Sequence, residues 1–420
     1  MTRAQIRPGA FLEPGDDEPW ELIEDLHHRG DLIWDDETQA WYATSAELCK
    51  AMGRRDDLLW QSGLIPNLDR DVPSGLDLAT YVELMGGGSR KTITFLEGEE
   101  HDRLHRFMRA QYSPKVLERW RPEIIRPIVR QRIDAFAARG RAELVHDLAT
   151  QVPPRVVATL MALPTDDVWI DRCLGLVAAS TDFKQRQASR PSAEVVQRAL
   201  TAARELKQLL MPFVLDRRKG TGDDFISRLW SCAPQIFEPP WDEHAIYGNV
   251  KAQFEGGQST TTHAAANLCY LLLTTSVREE VRAGDPKVSA NLVEEALRLY
   301  GGVAFRPRYA KEDVMLAGEQ VRAGDLVVTL NLAAGRDPDR YPCPASVDLH
   351  RQAPGDHLAF HVGPRACAGQ ALARAQLGEI LHAMVERLHD LRLDPDADPP
   401  VYHGGFHRGW APLHVLFDPA

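Results

Sequence analysis

Between residues 99 and 300 apolar residues recur at helical spacing. Leu104, Phe107 and Met108 make one stripe, Val116, Leu117 and Trp120 another, and Ser113-Pro114 marks a helix start between them. Alternation of the strand kind is confined to short pieces: Leu32 to Tyr42, Val314 to Leu330 punctuated by Gly318 and Gly324, and His414 to Phe417. The pattern predicts a mainly α protein whose minor β region forms small sheets at one side of a helical body. No repeat with a period of about 20 to 50 residues is visible, and the Gly-, Pro- or Asp-rich stretches Gly220 to Asp224, Ala233 to Asp242 and Asp394 to Pro400 read as loops, not linkers. One domain over residues 1–420 is expected.

Composition changes this picture little. Of 420 residues 44% are hydrophobic and 26% charged, which excludes a disordered or fibrous chain. The net charge of −11 (49 basic against 60 acidic residues) argues against nucleic acid or an anionic membrane surface as partner. Apolar runs such as Ala264 to Leu273, broken by Asn267, stop short of the roughly 20 residues of a spanning helix. The stretch Met1 to Trp20 carries Pro8, Pro14, Gly15, Asp16 and Asp17 and no apolar core of the signal-peptide kind, so a cytoplasmic protein is expected. Cys49, Cys173, Cys232, Cys269, Cys343 and Cys367 lie far apart, without a CxxC pair for zinc or a CxxCH for covalent haem.

Cys367 stands out. It sits between Gly363 and Gly369, immediately before a strongly helical run from Gln370 to Leu388. A loop of that kind can turn backbone N–H groups toward the sulfur, and a helix N-terminus favours negative charge there, so the thiolate could hold a metal. Taken alone, the segment reads more readily as a turn around a small buried cysteine.

Phe360-x-x-Gly363-x-Arg365-x-Cys367-x-Gly369 resembles the haem-binding loop of the cytochrome P450 family. Other resemblances come in the family's order. Glu295-Ala296-Leu297-Arg298 is similar to its ExxR pair, Arg308-Tyr309-Ala310 with Glu312-Asp313-Val314 to the strand after it, and Ala334 to Pro338 to the next turn. Upstream, Glu100 to Arg106 resembles the HxxxR helix and Asp147 to Pro164 the segment after it. The resemblance implies a cytochrome P450-like fold, a single large helical domain with small antiparallel sheets. It makes Cys367 the axial thiolate of haem iron, which donates electron density during oxygen activation. Gly363 and Gly369 would permit a close backbone approach, Phe360 would pack beside the ligand, and His101, Arg308 and Arg365 match the contacts to the haem propionates. His105 stands where the family has arginine, so Arg106 or Arg109 is an alternative there. Glu295 and Arg298, at i and i+3, would form a buried structural pair with Arg351 or His357 as third partner.

The resemblance also exposes a departure. An acid followed by threonine normally supplies protons from a helix over the distal face. Here Phe254 to His263 reads FEGGQSTTTH, and counting 295 − 260 = 35 residues back from the glutamate puts Thr260 on the alcohol and Ser259 where the acid belongs. A register slipped by one makes Ser259 the alcohol and Gln258 the acid's replacement; in both, the carboxylate is missing. The hydroxyls could equally bond back to helix carbonyls. Glu255, about one turn earlier, either enters the pocket as a substrate contact or proton source, or turns away to a salt bridge or into the groove left by Gly256 and Gly257.

The implied function is that of a soluble haem-thiolate monooxygenase containing haem b. Electrons from NAD(P)H would arrive through a separate ferredoxin reductase and ferredoxin, to hydroxylate a small, polar organic or natural-product substrate. A basic face of Arg103, Arg106, Arg109, Lys115, Arg119 and Arg374 would dock an acidic ferredoxin. A monomer is expected. The alternatives are a specialised oxidase performing coupling, dehydrogenation or peroxide-driven chemistry in secondary metabolism, and a non-catalytic haem protein that senses or carries a ligand. The segments resembling pocket walls are Gly86 to Leu96, Leu174 to Lys184, Val303 to Arg306 and Gly404 to Gly409.

Overall fold

The computed structural model describes residues 8–12, 14–16, 18–60, 76–185 and 191–419, so much of the N-terminal stretch inspected for a leader lies outside the described residues. Helices dominate, and their ends obey local chemistry. The predicted start at Ser113-Pro114 opens the helix Pro114–Trp120, proline standing where the missing N–H is not needed. The helix Gly98–Gln111 carries Glu99 and Glu100 in its first turn and Arg109 in its last, in keeping with its dipole.

The long helical axis over Thr260 is broken in two. Its first half, Glu243–Gly256, buries Tyr247, Val250 and Phe254 in an apolar cluster with Leu104, Met108, Ile170, Leu206 and Trp230. Its second half, Ser259–Thr274, opens on five polar residues and turns apolar from Ala264, anchoring the largest cluster through Ala264, Ala265, Leu268, Leu271 and Leu272. Gly257 and Gln258 form the break where the two clusters meet.

The sheets are small, as expected. The largest has the order Leu32–Asp35, Ala40–Ala43, Leu326–Leu330, Phe305–Ala310, Leu59–Trp60. Its pairs are antiparallel except Ala40–Ala43 against Leu326–Leu330, which run parallel. The stretch Val314 to Leu330 resolves into the hairpin Val314–Leu316/Glu319–Val321 and the strand Leu326–Leu330. His414–Leu416 pairs with Arg141–Glu143 and Arg392–Leu393. The hairpin Val401–Gly404/Arg408–Ala411 was not predicted: Tyr402, Arg408 and Trp410 are buried on one of its faces, but a buried arginine, His403, Gly404 and Gly409 break the apolar alternation by which strands are recognised. Among the described residues, no helix is long and apolar enough to cross a membrane.

Glu295 and Arg298 sit on the helix Pro286–Leu299 and are sealed from solvent. Both Glu295 oxygens are engaged: Oε1 accepts from Arg298 Nε at 2.7 Å and Arg351 Nε at 2.9 Å, and Oε2 from Arg298 Nη2 at 2.8 Å and the Asp348 N–H at 2.9 Å. Arg298 spends its other donors on the carbonyls of Gly335, Pro344 and Ser346. Arg351 is therefore the third partner. His357 instead bonds Glu294 at 3.0 Å, which Arg374 also holds. Burial pushes the Glu295 carboxyl up, yet the bonds from Arg298 and Arg351 prevail and keep it below its ordinary value.

Replacing Glu295 by Gln leaves two guanidinium groups buried around a neutral amide. It should destabilise the fold by about 3–5 kcal/mol, the usual effect of breaking a buried ion pair. A urea midpoint within error of the wild type would contradict this.

Candidate functional site

A cavity of about 310 Å³ lies between the break in the long helix and the loop before the helix Gln370–Arg387. Its wall includes Cys367, Phe360, Ala366 and Gly369 on the loop side and Gly256, Gly257, Thr260, Thr261 and Ala264 on the helix side. His101, His105, Arg306 and Arg365 also reach it.

The loop is fixed by its backbone. The Cys367 N–H donates to the Phe360 carbonyl at 2.8 Å, closing the loop on itself. Gly363 has φ +78°, and a Cβ there would stand 2.4 Å from the Gly53 carbonyl oxygen, so both conformation and space demand glycine. Gly369 differs. Its φ is ordinary, and the closest atom to an added Cβ is Cys367 Sγ at 4.0 Å, so the room it leaves is on the cavity side. Burial raises the Cys367 thiol pKa, against the lowering effect of the Gly369 and Gln370 N–H groups and of Arg306 and Arg374. Metal ligation would displace that proton. Phe360 lies under the Arg374 guanidinium, 4.5 Å from its ring centre.

The cationic residues divide into two groups. Arg308 does not line the cavity: it is buried behind the wall, donating to Asp56 at 2.9 Å and to the Leu59 carbonyl at 2.9 Å. Burial lowers its pKa to about 10, against the opposing pull of Asp56. Arg365 reaches the cavity and also donates to Asp56, at 3.0 Å. His101 and His105 stack with centroids 5.5 Å apart, and His105 Nε2 bonds the Ala366 carbonyl at 2.7 Å, tying the helix Gly98–Gln111 to the loop beside Cys367. Arg106 and Arg109 do not take its place in the cavity. They are exposed around an outer hollow with Gly363 and Pro364.

On the helix side Thr260 lines the cavity and its Oγ1 donates to the Gly256 carbonyl at 2.7 Å, the back-bonding anticipated for this run. Ser259 does not line it; its carbonyl accepts from His263 Nδ1 at 2.6 Å. Glu255 does not line it either. Its Oε2 accepts from Lys184 at 2.8 Å and Lys251 at 2.9 Å, and Lys251 also donates to the Leu84 carbonyl. Of the two placements open for Glu255, the structure takes the salt bridge, because two ammonium groups offset the desolvation that an apolar wall would impose. Burial pushes its pKa up, but Lys184 and Lys251 bring it down to about 2.

Two residues at the site, Asp56 and Gln253, were not foreseen, while Arg306 was named only as the end of a wall segment and Gln258 only as the acid's replacement in the slipped register. Asp56 joins Arg308 to Arg365 from outside every motif, and nothing in the sequence near it signals this. Arg306, two residues before Arg308, was legible as an i, i+2 neighbour on one strand face. Gln253 lines the cavity and donates to the Tyr112 hydroxyl at 2.9 Å. Gln258, at the helix break, buries both amide atoms without a partner.

The basic face is smaller than its sequence. Arg103 pairs with Glu99 and Glu238, and Arg374 with Glu294. Arg119 approaches Glu123 at 3.8 Å, while Arg106, Arg109 and Lys115 are exposed and form no ion pair among the described residues.

The family model described as Cytochrome P450 matches residues 287–412. The chain is 32% identical to mycinamicin IV hydroxylase/epoxidase of Micromonospora griseorubida, over 84% of each protein. It is 30% identical to cytochrome P450 monooxygenase PikC of Streptomyces venezuelae, over 72% of this chain and 70% of that one. Myxobacterial cytochrome P450 CYP267B1, solved in complex with myristic acid, superposes with a TM-score of 0.83 and 25% identity over 99% of both chains.

The placement of Glu255 sets an expectation. Replacing it by Gln should lower stability at neutral pH by about 3–5 kcal/mol, since two ammonium groups lose their counter-charge. A carboxyl depressed to about 2 contributes stability that is fully present above its unfolded value of about 4.5 and is lost as pH falls toward 2. The difference between wild type and variant should therefore shrink across that acid window. Equal urea midpoints at pH 7 would refute the ion-pair role.

Proposed function

The chain belongs to the cytochrome P450 family and is a monooxygenase of that family, and from this we propose that it uses haem b, ligated by the Cys367 thiolate, to hydroxylate a small, polar organic or natural-product substrate. The observation that carries the reading is the position of Cys367 in the cavity wall, its loop closed by the bond from its N–H to the Phe360 carbonyl. Among the described residues no cluster of three or more His, Cys, Asp or Glu could hold a bare metal ion, so a metal at Cys367 brings its remaining ligands with it. The residues present fit such a group, because Gly369 keeps the cavity open beside the sulfur. Its carboxylates would meet Arg365 and His101, with Arg308 and Asp56 fixing the position of Arg365.

Bound there, haem supplies the activation of dioxygen; the chain supplies everything else. Thr260 faces the cavity with its proton committed to Gly256, so its oxygen is free to accept from water. Ser259 keeps the helix turn in place through His263, and the partnerless Gln258 amide offers a site for an ordered water at the break. Gln253 and Tyr112 give the cavity a polar wall suited to orienting a substrate that carries hydrogen-bonding groups.

Electrons would come from NAD(P)H through a ferredoxin reductase and a ferredoxin docking on Arg106, Arg109 and Lys115. We take the enzyme to work as a cytoplasmic monomer of one domain, residues 1–420. The absence of a carboxylate at Ser259 favours a second reading, a specialised oxidation such as coupling or dehydrogenation. The family's named monooxygenases and hydroxylases speak against a non-catalytic carrier.

The reduced carbon monoxide complex should show the long-wavelength band of thiolate ligation, and Cys367→His should abolish it; a normal band in that variant would sink the assignment. Substrate-dependent NADPH consumption with a surrogate ferredoxin and reductase tests catalysis directly. Reversing Arg106 and Arg109 to Glu should slow electron transfer from an acidic ferredoxin by roughly tenfold at low salt, with the difference fading as salt rises. An unchanged rate and salt dependence would refute the docking face.

A further inference from the structure

Arg306 is the cation in the cavity wall that the reading above leaves without a task. It stands on the strand Phe305–Ala310 two residues before Arg308, so alternation sends both side chains to the same face. Their partners differ. Arg308 is held by Asp56 and two carbonyls, whereas Arg306 lines the cavity with its Nε buried and without a hydrogen-bond partner. The carboxylate that serves this strand face, Asp56, is already shared by Arg308 and Arg365. No carboxylate among the described residues pairs with Arg306.

The surroundings make this imbalance larger. His361 and His407 flank Arg306, and both are driven well below the ordinary imidazole value. Burial is the main cause for each, and Arg306 adds to it in both, with Arg308 acting on His361 and Lys184 on His407. Both rings are therefore neutral and supply no counter-charge. Toward the substrate side Lys184 and Lys251 share the single carboxylate of Glu255. An arginine does not give up its proton to escape burial, so the missing negative charge must arrive with a ligand. The planar guanidinium fits two oxygens of one group, and carboxylate geometry matches it.

We propose that Arg306 receives a carboxylate inside the cavity, carried either by the haem or by an acidic substrate. The proposal rests on the haem-thiolate reading for the first source and is independent of it for the second. It narrows the substrate class in one direction. If the cofactor's carboxylates are satisfied by Arg365 and His101, the substrate itself is an acid whose charge is anchored beside the strand, and its oxidised carbon lies a fixed distance from that anchor.

The test uses the holoenzyme and two variants, Arg306→Gln, which removes the charge, and Arg306→Lys, which keeps it. One arm measures haem transfer to excess apomyoglobin. The other compares dodecanoate with dodecan-1-ol by calorimetry. Loss of a charge-assisted bond should change the affected equilibrium or rate by roughly tenfold or more. Faster haem loss from Arg306→Gln, partly restored in Arg306→Lys, assigns the carboxylate to the cofactor. A wild-type preference for dodecanoate that vanishes in Arg306→Gln and survives in Arg306→Lys assigns it to the substrate. If haem transfer and the acid-to-alcohol ratio are both unchanged in Arg306→Gln, the proposal is overturned. The carbon monoxide band of the wild type reports separately on the haem-thiolate reading, and its absence would leave the calorimetric comparison able to decide the role of Arg306.

Discussion

The chain leading to the cysteine loop depends on one carboxylate that has no contact with water. From Gly335 to Arg351 the backbone is largely irregular, and irregular backbone inside a protein needs donors for its carbonyls. Arg298 provides them for Gly335, Pro344 and Ser346, and Glu295 holds Arg298 in the orientation that makes this possible. Arg351 joins the same carboxylate from the far end of the segment. A stretch without regular structure is thereby set as firmly as a helix, and it delivers the chain to Phe360 and Cys367. The adjacent Glu294 does the same for the cysteine loop itself, through His357 before it and Arg374 after it.

The same economy of acids appears elsewhere. Asp56 serves two arginines and Glu255 two lysines, so each of these two carboxylates is outnumbered by the cations it pairs with. In a protein of net charge −11 this is not a matter of composition. Beside the cavity, Arg306 is left without a carboxylate partner among the described residues. Its charge favours a thiolate ligand and anionic groups beside it, and it helps to keep the imidazoles of His361 and His407 neutral.

How far the structure could be read from the sequence depends on the range of the interactions. Helical stripes, the proline start at Pro114, the hairpin around Gly318 and the i, i+3 pair at Glu295 are local, and the residues that make them lie within a turn or two. The loop around Cys367 was legible because its spacing is fixed by its own backbone. Glu255 could be read only as two alternatives, because one of its two partners, Lys251, stands a turn before it but the other, Lys184, lies 71 residues away. Arg308 was placed at the cavity and lies behind it, because Asp56, from a segment with no motif, draws it aside. The hairpin ending at Ala411 was missed for a different reason: a buried arginine, His403 and two glycines stand where apolar alternation would mark a strand.

The bridge through Asp56 also has a meaning in time. Arg308 lies 252 residues and Arg365 309 residues further along the chain than the carboxylate they share. At a synthesis rate of roughly 5–20 residues per second, Asp56 waits on the order of ten to sixty seconds on the ribosome before its second arginine exists. Closing a loop of that length comes only after local helices have formed. The bridge is thus among the last parts of the molecule to appear, and on the proposed haem reading a nascent chain lacking residue 365 would have no completed cradle for that group. Insertion of haem would then be a late event in the biogenesis of this fold.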